Sequence, residues 1–363
     1  MDVNELVGLA NWMNEHVKPS MSVYEQLAKS MEQNATNGNK VPLREHLDAV
    51  KKALLDMPVS QLSYQQTDLL DDMEVGDLLG EKGWRFVERT VKEGNYDPAS
   101  AAADIRKAKQ RLDSALQQFQ QTRQSLSAVG IAGEPDHEAS DKVTVRIRFK
   151  DAVEIENVTQ LKKWSAEWYD ISRGLAMAAG ERPEDVEVKG ATTGSLIVVL
   201  GTTLSVATII ALIMKQIAST VKSSMEIAHT LQDWKMRKVA DAEVERVLLA
   251  RRKSVEDGGV QDALELVREK IGVRIAGDVE NALKKSIEKM FRFTSKGGEV
   301  DMLPPPEPAD DDEESDDAVT EAINTIIENV EEMRTLKAAT QLLIEDKAND
   351  APDNDAEDSE AGE

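Results

Sequence analysis

The chain of 363 residues contains no cysteine, which excludes disulfides, thiolate metal sites and cysteine nucleophiles together. Aromatic residues are scarce at 4%, so aliphatic side chains must do most of the packing. Met1–Glu5 offers neither the basic n-region nor the apolar h-region of a signal peptide, and a cytoplasmic protein is the expectation. The motifs that announce chemistry are missing as well. There is no HExxH, GxGxxG or GxSxG, and Gly190–Ser195 lacks the lysine of a phosphate loop and reads as a turn. His16, His46, His137 and His229 stand apart with no companion at ligand spacing. Neither an enzyme nor a cofactor or metal site is expected.

What is abundant is charge, at 31%, with a net value of −24. That excess is local. From Glu307 to Glu363 there are 21 acidic and 3 basic residues, a balance of −18, which leaves −6 for everything before.

Residues 1–132 show helical periodicity throughout. Leu6, Leu9, Ala10 and Met13 form one stripe, Leu43, Leu47, Val50 and Leu54 another, and Asp97-Pro98 has the form of a helix start. The period then changes. Val143, Val145, Ile147 and Phe149 alternate with Thr144, Arg146, Arg148 and Lys150, as in a half-buried strand. An amphipathic helix carrying Trp164 and Trp168, a strand at Val186–Val188 and an apolar run at Ser195–Leu200 complete a strand–helix–strand–strand α/β domain over 141–201. The fold class expected is mainly α around this small domain.

Between Thr202 and Asp257 neither glycine nor proline occurs, which predicts a helix of ~80 Å. Gly258-Gly259 reads as its end, with Arg251, Arg252 and Lys253 closing it, followed by an antiparallel return from Leu264 to Met290, so that 202–296 forms a long helical hairpin with coiled-coil character. Residues 297–363 read as a disordered acidic linker and tail, interrupted by one amphipathic helix at 318–346. In it Val319, Ile323, Ile326, Val330 and Met333 make a heptad seam.

The uncharged run Ala191–Met214 is long enough to span a bilayer, but its seven Ser/Thr residues and the glycines at 194 and 201 predict a strand followed by a helix. Ile209, Ile210, Leu212, Ile213 and Ile217 would then demand apolar cover on all sides, from another domain, a second copy of the chain or lipid. Two basic groups, Arg146–Arg148–Lys150 and Arg251–Arg252–Lys253, lack interleaved aromatics, so nucleic acid is disfavoured as a partner. The reading is a non-catalytic interaction protein that self-associates through its long helices as a homo-oligomer. Its acidic tail is expected to be a tethered partner-binding element, steered by its charge. The alternative is an inner- or plasma-membrane protein anchored by 196–214.

Overall fold

A computed structural model describes residues 1, 3–36, 40–94, 97–128, 142–192, 196–236, 242–271, 277–303 and 317–350. The chain divides into two compact units, Met1–Ala139 and Ser140–Glu363.

The first unit is entirely helical among its described residues: α1 (Val3–Trp12), α2 (Ser20–Thr36), α3 (Arg44–Leu55), α4 (Tyr64–Asp72), α5 (Gly80–Glu93) and α6 (Pro98–Ala128). A π-turn, Met13–Val17, joins α1 to α2. Local chemistry sets the boundaries. Ser63 and Gln66 form a reciprocal capping box at the start of α4. Asp97 accepts from the amides of Ala99 and Ser100, and Pro98 occupies the first position of α6. The apolar stripes meet in one core built around Leu9, Met13, Tyr24, Leu54, Ile105 and Leu112.

The second unit holds β1 (Val143–Arg148), α7 (Val158–Ala179), β2 (Glu187–Thr192), β3 (Ile197–Thr202), α8 (Leu204–Met236), α9 (Ala242–Ile271), α10 (Asp278–Ser295), β4 (Glu299–Leu303) and α11 (Asp317–Asp350). Its sheet has the order β2-β3-β1-β4, with every neighbouring pair antiparallel. Asn157 caps α7 through its side chain, and Gly180 ends the helix at φ 74, a conformation that favours glycine. One face of β1 carries Val145, Ile147 and Phe149 into a core where Phe149, Trp164, Trp168 and Phe293 pack edge to face. Trp164 and Trp168 are thus core anchors, as their spacing suggests.

The apolar run after Ala191 is divided as expected: β3 ends at Thr202 and α8 begins at Leu204. The hairpin of long helices is also present, but its turn is elsewhere. α8 ends at Met236 and α9 runs unbroken through Gly258-Gly259. A Cβ at Gly259 would sit 2.6 Å from Thr220 Oγ1 and 3.0 Å from the Phe291 ring, whereas one at Gly258 would meet nothing. Gly259 lets α9 approach its neighbours closely; it does not break the helix. The expected return helix from Leu264 to Met290 is in fact the end of α9 plus α10, which starts after Gly277 at φ 63.

Two further departures concern the region read as tail. Residues 299–303 are the fourth strand of the sheet, with Val300 and Met302 buried beside Val145 and Ile147. The short helix expected at 318–346 extends from Asp317 to Asp350 and packs along α8. The expected disorder at 304–316 and 351–363 falls on residues outside those described.

Candidate interaction surfaces

Ile209, Ile210, Leu212, Ile213 and Ile217 are buried within the chain, each no more than 4% exposed. α8 is covered by α11, α9, α7, α10 and β1, so of the three expected sources of apolar cover, another domain, a second copy and lipid, none is needed, and the cover comes from the same unit. α11 supplies what the sequence pattern hid. Ile323, Ile326, Val330 and Met333 of the heptad seam are buried, while Val319 at its start remains 40% exposed. The seam is thus a packed component of the second unit, contrary to the expectation of a freely tethered element.

The helix directions follow from the side chains that meet. Thr220 lies against Gly259 and Ser224 donates to Glu256 at 2.6 Å, so α8 and α9 are antiparallel. Gly259 against Phe291 and Arg268 paired with Glu280 make α9 and α10 antiparallel. Lys289–Asp170 at 2.5 Å and Arg292–Glu167 at 2.7 Å set α10 antiparallel to α7, which itself runs back from Phe149 at the end of β1. α10 therefore runs with β1, and β4 runs against both. Arg334 sits over Asp301, and Lys337 over Glu299, so α11 runs opposite to β4 and parallel to α8. The Lys215–Glu332 pair at 2.6 Å fixes their register.

A charge cluster holds α11 to the outer face of β1 and β4. Arg334 donates to Asp301 Oδ1 from Nε at 3.1 Å and from Nη2 at 2.8 Å, and Nη2 also reaches the Met302 carbonyl at 2.9 Å. Both side chains are 6% exposed, so this pair is desolvated. Glu299 accepts from Lys337, from Lys150 at 2.8 Å and from Arg148 at 3.4 Å. Burial works to raise the Glu299 pKa, but the Lys337 and Lys150 cations outweigh it and hold the carboxyl below its ordinary 4.5. Burial likewise draws the Lys337 ammonium below its usual 10.5, against the pull of Glu299.

Arg146, Arg148 and Lys150, read as an outer basic patch, stand in this cluster. Arg146 is buried, and Glu299 pairs with Arg148 and Lys150. Their register explains it: Arg146 faces Asp301 and Arg148 faces Glu299 across the β1–β4 ladder. The acidic half of that ladder lay in the segment assigned to the tail.

Arg251, Arg252 and Lys253 differ from that picture. They lie in the interior of α9, not at the end of α8, so no helix C-terminus accounts for them. Arg252 bonds Ser224 Oγ and Glu256 Oε1, each at 3.0 Å, and pins the hairpin register. Neither Arg251 nor Lys253 has an ion pair among the described residues. Beside them Val244, Val247 and Leu249 are 37%, 55% and 47% exposed. The half of α9 before Gly259 consequently presents exposed apolar side chains among charges of both signs: Glu243, Glu245, Glu256 and Asp257 balance Arg246, Arg251, Arg252 and Lys253, and Arg246 pairs with Glu243 at 2.7 Å. Sequence reading had registered its charge but not its exposed valines and leucine.

Among the described residues no three His, Asp or Glu side chains are grouped to hold a metal. His16 packs against Trp12 with ring centroids 5.4 Å apart, and His137 lies outside the described residues. No family model, no curated protein and no solved structure matches this chain.

Proposed function

We propose that this is a cytoplasmic, non-catalytic interaction protein that self-associates, and that the contact is made by the half of α9 before Gly259. The observation that carries the reading is the exposure of Val244, Val247 and Leu249 among Arg246, Arg251 and Lys253 on a long helix. Exposed large apolar side chains mark an interface; Val244 and Val247 share one side of the helix with Arg251, Leu249 lies across from Val247, and charges of both signs around them supply orientation. The role assigned from sequence to Ile209, Ile210, Leu212, Ile213 and Ile217 passes to these residues, because the former group packs the interior of the unit. Light scattering on the full chain tests the proposal. A dimer or larger species at micromolar concentration is expected, reduced to monomer by Val247→Glu with Leu249→Glu at an unchanged melting temperature. A wild-type monomer refutes it.

A second reading, membrane attachment, is favoured by one feature. Leu204–Leu231 of α8 is 28 residues long and apolar enough to cross a membrane. Attachment in this way requires α11 to leave α8, since the two pack together along their lengths. Recovery of the protein in carbonate-washed membranes supports this reading, and full recovery in the supernatant removes it.

A further inference from the structure

One side of α7 carries apolar side chains that face solvent. Val158, Leu161, Ser165, Tyr169 and Ser172 follow at spacings of 3, 4, 4 and 3, which puts them on a single face of the helix. Val158 is 80% exposed, Tyr169 61% and Leu161 43%, and Ser165 is exposed as well. The two carboxylates of α7, Glu167 and Asp170, turn toward α10, where they pair with Lys285, Lys289 and Arg292. Lys162 and Arg173 flank the exposed face and have no ion pair among the described residues. α10 leads into β4, the opposite edge of the sheet from β2, so this face of α7 looks out over the β2 edge. There Val188 stands on the helix side of the sheet, opposite Leu200, and is 70% exposed. The bulge between Val188 and Gly190 disturbs β2 as a template for another strand, so side chains are what this surface offers.

We propose that this face of α7 is a second self-association site, packing antiparallel against α7 of another copy about a two-fold axis at Ser165. The inference goes beyond the α9 contact and does not depend on it. Self-complementarity selects another copy as the occupant. In an antiparallel pair centred on Ser165, positions equally far before and after it meet. Leu161 then meets Tyr169 of the second copy, and Val158 meets Ser172, each twice. The small Ser165 side chains on the axis permit close approach. Lys162 falls beside the second copy's Tyr169 ring, the arrangement of a cation–π contact. Arg173 comes level with the second copy's Asn157, next to Glu156, which has no ion pair among the described residues either. A lipid surface or an acidic peptide would match the two cations but would leave Glu156 unmatched.

Burying Val158, Leu161, Tyr169 and Val188 removes on the order of 400 Å² per copy, against ~800 Å² per partner in a standard interface. The contact is therefore weak, filling at roughly 0.1 mM, and leaves the micromolar oligomer to α9. With self-contacts on two separate elements, assembly continues past the dimer as concentration rises.

The absence of cysteine permits a direct test. Antiparallel helices with axes about 8–10 Å apart bring facing Cα atoms to about 5 Å, within disulfide range. Full-length Ser165→Cys and Lys163→Cys variants, the latter on the opposite side of α7, are oxidised with copper phenanthroline at roughly 300 µM. Ser165→Cys should crosslink about tenfold faster or more. Adding Leu161→Glu and Tyr169→Glu should remove that advantage at an unchanged melting temperature, since both side chains are exposed. Equal rates for the two cysteines overturn the proposal, as does an advantage that survives those two substitutions. Val247→Glu with Leu249→Glu separates the two sites. A Ser165→Cys advantage that persists in that background upholds the α7 contact, whatever light scattering at low micromolar concentration says of α9. An advantage lost in that background but kept with the α7 substitutions assigns the contact to α9 and overturns the inference. Co-sedimentation with phosphatidylserine vesicles that requires Leu161 and Tyr169, without the crosslink, gives the face to lipid and overturns it too.

Discussion

Replacing Arg334 with Met should destabilise the second unit by about 3–5 kcal/mol, the cost typical of removing one partner from a buried ion pair. The side chains of Arg334 and Asp301 are each 6% exposed, and the guanidinium makes two bonds to the carboxylate plus one to the Met302 carbonyl. Met keeps the apolar stem and much of the volume but removes three hydrogen bonds and leaves the buried Asp301 with Arg146 alone facing it across the ladder. The partner substitution, Asp301→Leu, should cost a similar amount by orphaning Arg334. Combining the two should cost less than the sum of the single losses, because neither Arg334 nor Asp301 is then left without the other, while Arg146, buried opposite position 301, keeps the recovery partial. Urea unfolding followed by far-UV circular dichroism measures all four corners of the cycle. A loss below about 1 kcal/mol for Arg334→Met refutes the reasoning, since that is the range of an exposed pair. Strict additivity in the double variant refutes it equally, because the two residues would then be acting independently.

Further outcomes follow from other contacts. Gly258→Ala should stabilise α9 by roughly 0.5–1 kcal/mol, since its Cβ enters open space in a helix interior. Gly259→Ala should instead lose about 1–3 kcal/mol against Thr220 and Phe291, and equal melting temperatures for the two variants contradict the packing role. Ile210→Asp with Ile213→Asp should unfold the second unit instead of merely separating copies, because both side chains are buried in it; a folded monomer with native circular dichroism is the contrary result. The Glu299 carboxyl is held below 4.5 in the folded chain, so its stabilisation is full above that pH and fades as pH falls through the folded pKa. Urea midpoints measured from pH 6 to pH 3 should fall over that window for the wild type and less so for Glu299→Gln, and parallel curves exclude Glu299 as the cause.

Much of the fold was legible because local pattern and tertiary role agreed. The alternation of Val143 to Lys150, the capped start at Asp97-Pro98 and the spacing of Trp164 and Trp168 all mean in the structure what they mean in isolation. Three features were not legible, each for a physical reason. Gly258-Gly259 has the composition of a breaker, but the tolerance of a helix for glycine depends on what lies opposite, here Thr220 and Phe291 from distant positions. Glu299–Leu303 alternates as cleanly as β1, yet its polar residues are acidic, and its five residues stand next to Pro304–Pro306. Its identity as a strand rests on Arg146 and Arg148, some 150 residues earlier. The exposed surface of α9 is a matter of which neighbours are missing, and no local pattern records that.

The apolar helix α8 shows why composition underdetermines such a segment. A run like Leu204–Leu231 satisfies the length and apolarity of a bilayer span, and satisfies equally the needs of a core helix. The difference lies wholly in the source of its cover. In this chain a large part of that cover is Ile323, Ile326, Val330 and Met333, which follow α8 by about a hundred residues and sit inside the most acidic stretch of the sequence. Net charge marked the stretch as solvent-facing, while its heptad seam marked it as packed, and both descriptions hold for different faces of one helix. Lys215 meets Glu332 on the polar margin, Arg334 and Lys337 meet Asp301 and Glu299 on the sheet side, and the seam closes over α8 between them. The charges thus set the register in which the apolar seam is buried, and a segment that looks like a solvating tail by its sum becomes part of a core by its arrangement.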